Sequence, residues 1–522
     1  MNLLFPDNYE KKKIFLILLI ISLTVIIIQT AIILILNSGH FTYIVDDSYI
    51  HLALAENILR GHYGVNLSEY SSPSSSILWP FLLAPFSGLA FGYWMPFIIN
   101  TFSAIGTLYI YSLIIKSIFH SNTVIDPKIY NICLFLVILL MVATNLIGSV
   151  FGGMEHPLQV FLTSIIIWGL LRVSQNKQTS KWLFAAIIIS PLIRYENLAL
   201  SFMSLFFLYF QGYRKKSVIS FAAILLLVGG FSVFLLNLGL KVLPFSVLAK
   251  LSVTSSNGNI LSILENFKNN LLSPRCALLF IGMLFLLNLV FTAERNREER
   301  LLAGCVASAI LLHLLFGKDG RYVVYIWTAT ALVFLFFYRS WLIETLTRNG
   351  FSKAITYFII VVLFVSYNYV YGTIMIPVSS NNIFEQQYQM HRFVTEYYKN
   401  PVAVNDLGYV AFKNNNYVLD LVGLASIEVQ NLKRNTNSPS WMNKVADSHN
   451  VKFAMIYDKW FKELPPNWHK VAELYLSKIK MAPAESVVAF YILDNRIVRE
   501  VISQLKRFKK SLPRSAKLIT WE

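Results

Sequence analysis

Charge is what this sequence has least of. Asp, Glu, Lys and Arg together make up 14% of the 522 residues, whereas hydrophobic residues make up 56%, too apolar a balance for a soluble enzyme of this length. Acids are the scarcer sign, 28 against 45 Lys and Arg, giving a formal net charge of +17. In a soluble chain that excess would suggest nucleic acid. In an apolar chain basic residues first mark cytoplasmic loops, so no nucleic-acid partner is expected. Cysteine is nearly absent as well. Cys133, Cys276 and Cys305 all lie in apolar runs, which argues against a disulfide framework and a Cys-based zinc site. The N-terminus, MNLLFPDNYEKKK followed by a long apolar run, shows no small-residue cleavage site and is read as a retained first helix.

What the sequence has in quantity is apolar runs. A helix needs about 20 apolar residues to cross a bilayer, and fewer where the membrane is thinned. Spans are therefore expected near 14–36, 95–117, 130–149, 157–171, 182–193, 197–211, 217–238, 276–293, 301–316, 322–338 and 354–371. The expected fold class is an α-helical polytopic membrane protein with about eleven spans. Basic clusters at Lys11-Lys13, Lys116 with Lys128, Arg172 to Lys181, Arg214-Lys216, Arg295 to Arg300 and Arg339 to Lys353 then mark the cytoplasmic side. A full crossing by 76–91 would reverse every later loop, so that segment is read as a partly inserted helix on the outer face. The outer side then receives loop 37–94, the Met154-Glu155 and Arg194-Tyr195-Glu196 turns, loop 239–275, Lys318 to Arg321 and everything after 371.

The chain divides accordingly into a membrane domain, 1–371, and a C-terminal domain, 372–522. The second loses the long apolar runs and gains alternating patches such as PVAVNDLGYVAF and NYVLDLVGL. That pattern predicts an extracytoplasmic α/β domain with strands around 401–405 and 417–421. The basic KRFKKSLPRSAK is either a solvated helix face or a surface lying against anionic lipid or glycan.

Two adjacent carboxylates, Asp46 and Asp47, open the stretch DDSYIHLALAENILRGH. Neighbouring acids repel each other and resist burial, so near a bilayer they need a partner, a metal or a task. Ile50, Leu54 and Ile58, with Ala55 and Leu59, have helical spacing, and Gly61 can end the helix. The expectation is an amphipathic helix over 47–60 on the outer leaflet, with both acids in its first turn. Asp46 could serve only as an N-cap. Capping needs one acid, however, and His51 lies one turn beyond Asp47. Asp46, Asp47 and His51 thus leave room for a general base or for a divalent-cation site, magnesium or manganese.

The run DDSYIHLALAENILRGHYGVN, followed by SSPSSSILWPFLLAPFSGL, resembles the first extracytoplasmic loop of GT-C glycosyltransferases. The pattern is most similar to the branch containing terminal arabinofuranosyltransferases of cell-wall arabinan. The resemblance continues in order through GGMEHPLQVFL, LIRYENLAL, LKVLPFSVLAK, GKDGRYVVYIWTATALV and VAVNDLGYVAF with YVLDLVGL. It spans Asp46 to Leu424. The chain departs from the branch at Arg194-Tyr195-Glu196, where the branch has Arg-Pro-Glu, at Phe245-Ser246, where it has Asn-Thr, and at Leu52-Ala53, where it has Arg-Tyr.

The resemblance implies a GT-C membrane enzyme that moves a sugar from a polyprenyl-phosphate donor to a cell-envelope glycan or glycolipid, with inversion. It places the protein in a bacterial-type cytoplasmic membrane, with the active site and C-terminal domain extracytoplasmic. Asp46 or Asp47 would be the base. Arg321, Lys250, Arg194 and Lys318 are the cations near that face for the leaving phosphate, each with an alternative as an interfacial anchor. Glu155 and Glu196 would orient those cations or cap helices. Rival readings are a protein O-glycosyltransferase of the same fold, a lipid-linked saccharide flippase or transporter, and a catalytically dead member that binds glycan.

Overall fold

The computed structural model describes residues 9–119, 127–176, 178–248, 260–292, 294–348, 353–435, 438–477 and 479–521. Over its described residues, each of the eleven apolar segments predicted as a span is largely helical. Among the described residues, seven helices are long and apolar enough to cross a membrane: Lys13–Leu36, Gly92–Ser117, Tyr130–Gly152, His156–Gln175, Arg214–Asn237, Pro274–Phe291 and Arg297–Phe316. Lys181–Ile193 and Val324–Phe337 are apolar but shorter. Such segments hydrogen-bond their whole backbone internally, the condition for surviving in lipid. His156–Gln175 is central, with 67% of its apolar window buried, whereas Lys13–Leu36 and Arg214–Asn237 are peripheral at 22% each. Their outward faces carry exposed Ile27, Ile28, Ile35, Leu225 and Leu226, apolar surface suited to lipid rather than water.

The segment at 76–91 forms a short helix, Leu78–Ser87, interrupted by Pro85. It packs against the helix Asp47–Leu59, which ends at Gly61 in a left-handed turn of φ +80. That second helix is not the half-exposed amphipathic helix its spacing predicts. Ser48 to Ala55 are all buried, because the Leu78–Ser87 helix covers one side and the C-terminal domain another.

The C-terminal domain is built on a six-stranded sheet: β1 Val402–Val404, β2 Val418–Asp420, β3 Phe453–Ile456, β4 His469–Tyr475, β5 Val487–Ile492 and β6 Lys517–Thr520. The order is β2-β1-β3-β5-β4-β6. β1 runs parallel to β2 and β3, and the remaining pairs are antiparallel. Both strands expected near 401–405 and 417–421 are present. Side chains alternate across the sheet: Val402, Val404, Phe453 and Met455 face the main core, whereas Ala403, Ala454 and Ile456 join a second core with Trp441 and Val445. The basic tail begins as the helix Val498–Ser511, whose Val501, Leu505 and Phe508 are buried while Lys506, Arg507, Lys509 and Lys510 face outward.

Polar contacts fasten this domain to the membrane domain. Asn66 uses its side-chain amide as a sheet edge, accepting from Val418 N–H at 2.9 Å and donating to Val418 O at 3.0 Å. The Tyr417 hydroxyl donates to Glu69 at 2.9 Å. Thr42 and Ser380 bond each other's carbonyls at 2.8 and 2.7 Å.

Candidate active site

Five segments distant in sequence meet at one end of the helices. The first is the start of the Asp47–Leu59 helix. Ile44 N–H donates to Phe151 O at 3.1 Å, and Ser48 Oγ donates to Gly152 O. The approach is close because Gly153 has φ +62 and a Cβ there would lie 2.7 Å from Tyr43. The Gly152-Gly153 turn thereby delivers Glu155 beside His51, with His51 Nε2 3.7 Å from Glu155 Oε2.

Asp46 and Asp47 diverge. Asp46 sits at the N-cap position, but its backbone is already helical, φ −63 and ψ −33, and its side chain makes no capping bond. Its carboxylate turns instead to the C-terminal domain. It accepts from Gly408 N–H at 2.7 Å and Tyr409 N–H at 2.9 Å, with the Asp406 carboxyl alongside. Burial and the charge of Asp406 push the Asp46 carboxyl up, and burial does the same to Asp406. Asp47 points the other way, into an ion pair with Arg321 whose side chains are 41% and 34% exposed. These exposures separate the two acids: Asp46 is enclosed, while Asp47 remains open to an incoming molecule.

Arg194 forms the second cation centre. It is fully buried, donating to Glu155 Oε1 at 2.5 Å and to Glu196 Oε1 and Oε2 at 2.8 and 3.1 Å. Its guanidinium also lies 4.9 Å from the Tyr322 ring centroid. Burial would raise the Glu155 carboxyl, but Arg194 holds it down at about 2. Burial lowers His51, against the opposing pull of Glu155. Around Arg194, the atoms His51 Nδ1, Glu155 Oε2 and His156 Nε2 are buried without a hydrogen-bond partner among the described residues.

The Arg321 loop is fixed from below. Asn266 and Asn270, one turn apart, both donate to Gly317 O at 3.0 Å. Asp319 accepts from Ser273 at 2.6 Å and pairs with Arg275 at 3.3 Å, and Gly320 takes φ +84. Sequence spacing predicts a helix beginning at Tyr322. The structure has a 3-10 turn over Gly320–Tyr322 and starts the helix at Val324. Arg321 thus reaches Asp47 from a turn, and its guanidinium lies 5.4 Å from the same Tyr322 ring that Arg194 faces. Lys318 makes no ion pair among the described residues. Lys250 lies outside the described residues.

A divalent cation held by Asp46, Asp47 and His51 does not fit this arrangement. Asp46 is occupied by two backbone amides, Asp47 by Arg321, and His51 faces Glu155. Among the described residues no three His, Cys, Asp or Glu form a group that could hold a metal. The site also contains residues that sequence reasoning missed. Tyr322 has both guanidiniums near its ring, and Asp406, Gly408 and Tyr409 come from the other domain. The run VAVNDLGYVAF shows a strand pattern and carries part of the resemblance, but nothing in it says that the Asp-Leu-Gly-Tyr turn meets Asp46.

Comparison with known proteins gives three findings. A family model described as a domain of unknown function (DUF8728) matches residues 381–491. No curated protein matches the chain. Among solved structures, the chain is similar to the Archaeoglobus fulgidus oligosaccharyltransferase in its apo form, at 14% identity and a TM-score of 0.43, over 91% of this chain and 74% of that one. It also aligns with that enzyme in complex with Zn and sulfate, at 12% identity and a TM-score of 0.40, over 95% and 74% of the two chains.

Proposed function

We propose that the protein is an integral membrane glycosyltransferase of the GT-C type. It transfers a sugar from a polyprenyl-phosphate donor to a hydroxyl of a cell-envelope glycan or glycolipid, on the extracytoplasmic face of a bacterial-type cytoplasmic membrane. The observation that carries this reading is the half-exposed Asp47–Arg321 pair, which brings together residues 274 positions apart. A base and a phosphate-binding cation are what the transfer requires, and here they lie in contact.

The geometry suggests an order of events. The donor phosphate competes with Asp47 for the Arg321 guanidinium, a planar fork suited to bidentate phosphate binding, with Lys318 close by in the chain. Drawing Arg321 toward phosphate takes the Asp47 carboxylate out of that ion pair, and Asp47 accepts the proton of the acceptor hydroxyl. The acceptor oxygen then bonds to the anomeric carbon as the bond from that carbon to the phosphate oxygen breaks. Polyprenyl phosphate leaves with the electron pair, and the anomeric configuration inverts. Asp46, both oxygens engaged, holds the helix start in place. Arg194, buried and doubly paired, orients Glu155 and Tyr322 rather than meeting the donor. No step passes through a metal.

A transporter would need charged groups along a path through the bilayer. The buried Asp46, Glu155 and Arg194 instead collect at one end of the helices, which favours surface chemistry. Mass spectrometry of envelope glycans from cells with and without the protein tests the reading. One missing sugar residue is expected, and unchanged glycans would remove the proposal.

A further inference from the structure

Asp46 has an unusual partner for an acid beside a catalytic base: the backbone of another domain. Gly408 and Tyr409 N–H both point at its carboxylate. The turn approaches so closely that a Cβ on Gly408 would lie 2.1 Å from Asp46 O and 2.5 Å from Asp46 Oδ2. Gly408 is not in the left-handed region, so glycine is required here for proximity and not for backbone conformation. One residue on, the Tyr409 ring lies 3.9 Å from the Tyr49 ring, centroid to centroid, and Tyr49 is three positions after Asp46 on the same helix. The Tyr49 hydroxyl in turn accepts from Tyr43 N–H at 2.9 Å and lies 3.1 Å from the Tyr93 hydroxyl. The turn itself is held from behind: Asp406 accepts from Gln387 at 2.6 Å and Tyr457 at 3.0 Å.

We propose that the Asp406–Tyr409 turn of the C-terminal domain is a positioning element of the active site. By gripping Asp46 and Tyr49 it sets the direction in which Asp47 faces Arg321, so the membrane domain lacks a competent base geometry without it. The inference rests on the transfer reaction proposed above. It assigns the C-terminal domain a part in turnover that mere attachment to the membrane domain does not supply. Attachment has its own contacts elsewhere, chiefly Asn66 with Val418 and Glu69 with Tyr417. Gly408 and Tyr409 act through Asp46 and Tyr49, and neither is assigned contact with substrate.

Because the two sets of contacts are separate, they can be broken separately. In full-length purified protein, Gly408→Ala should lower kcat about 100-fold, the scale of a displacement near 1 Å in reacting groups, with donor KM little changed and the thermal midpoint lowered by the added methyl's close approach to Asp46 O. Asn66→Ala removes an attachment contact and should leave kcat within about twofold of the parent, since it moves no reacting group. Tyr409→Ala should fall between them and Tyr409→Phe should restore activity, because the ring and not the hydroxyl meets Tyr49. This pair decides the matter if Gly408→Ala does not fold. Equal losses in Asn66→Ala and Gly408→Ala would reduce the turn to a docking contact and overturn the proposal, as would a Tyr409→Ala protein with parental kcat. Hydrogen exchange reads the same grip without substrate: Gly408→Ala or Tyr409→Ala should speed exchange in 46–49, and Asn66→Ala should not. If the parent transfers no sugar, the enzyme reading fails, while the exchange result still supports or overturns the positioning role.

Discussion

Arginines and carboxylates gather near both ends of the helix Arg297–Phe316, and the two ends behave differently. At its start Arg295 and Arg339 flank Glu299 at 3.2 and 3.8 Å. Both guanidiniums also take carbonyls at the end of the neighbouring helix, Phe337 O at 3.1 Å and Phe336 O at 2.7 Å. Cations at a helix C-terminus satisfy free carbonyls and the helix dipole. This end has an evident structural role, and its basic excess marks the expected cytoplasmic side. At the other end, past Gly317, carboxylates gather around Arg194 and Arg321, and His51 Nδ1, Glu155 Oε2 and His156 Nε2 are buried without a hydrogen-bond partner among the described residues. The same residue types cap a helix at one end and form the proposed active site at the other. What distinguishes them is convergence from distant segments and a cation left half-open.

The comparison can be broken most severely at Arg194. Arg194→Ala would leave Glu155 buried without its cation, a change that typically costs on the order of 3–5 kcal/mol. The thermal midpoint in detergent should fall sharply and transfer should vanish; a stable Arg194→Ala protein would contradict its structural role. Arg321→Ala comes next. Its pair with Asp47 is partly exposed, so the fold should persist, but donor affinity should drop by roughly tenfold or more, about 1.4 kcal/mol per decade. Arg321→Lys should recover part of that loss, since charge is kept and the bidentate fork is not. Transfer rate against donor concentration measures both, and parental saturation by Arg321→Ala would move the phosphate site elsewhere. The smallest effect is expected at the opposite end. Arg339→Ala should change stability by about 1 kcal/mol or less and leave kcat unaltered; a large loss of transfer there would erase the distinction between the ends.

Much of this architecture is legible in the sequence, for physical reasons. Apolar runs bounded by basic clusters mark the helices because a bilayer demands long, internally bonded segments. Alternation in PVAVNDLGYVAF marks a strand because sheet side chains alternate faces. Asp46-Asp47 stands out because paired acids are costly beside lipid. Which acid does what is not legible, since Asp46 is committed by a turn more than 360 positions away, at Gly408. The amphipathic reading of 47–60 fails for the same reason: periodicity registers apolar faces but not a second domain covering the polar one. Tyr322 is equally silent, one aromatic among many until Arg194 and Arg321 are placed on its ring.

The central claim is that Asp47 is the base and that Arg321 exchanges its pairing with Asp47 for the donor phosphate. Asp47→Asn removes the base while keeping the side chain's size, and it frees Arg321 for phosphate. In purified protein, turnover should fall by roughly 10²–10⁴-fold, whereas donor affinity should hold or tighten and the thermal midpoint should stay near the parent's. An Asp47→Asn protein that turns over like the parent, or one that loses donor binding along with turnover, would contradict the account.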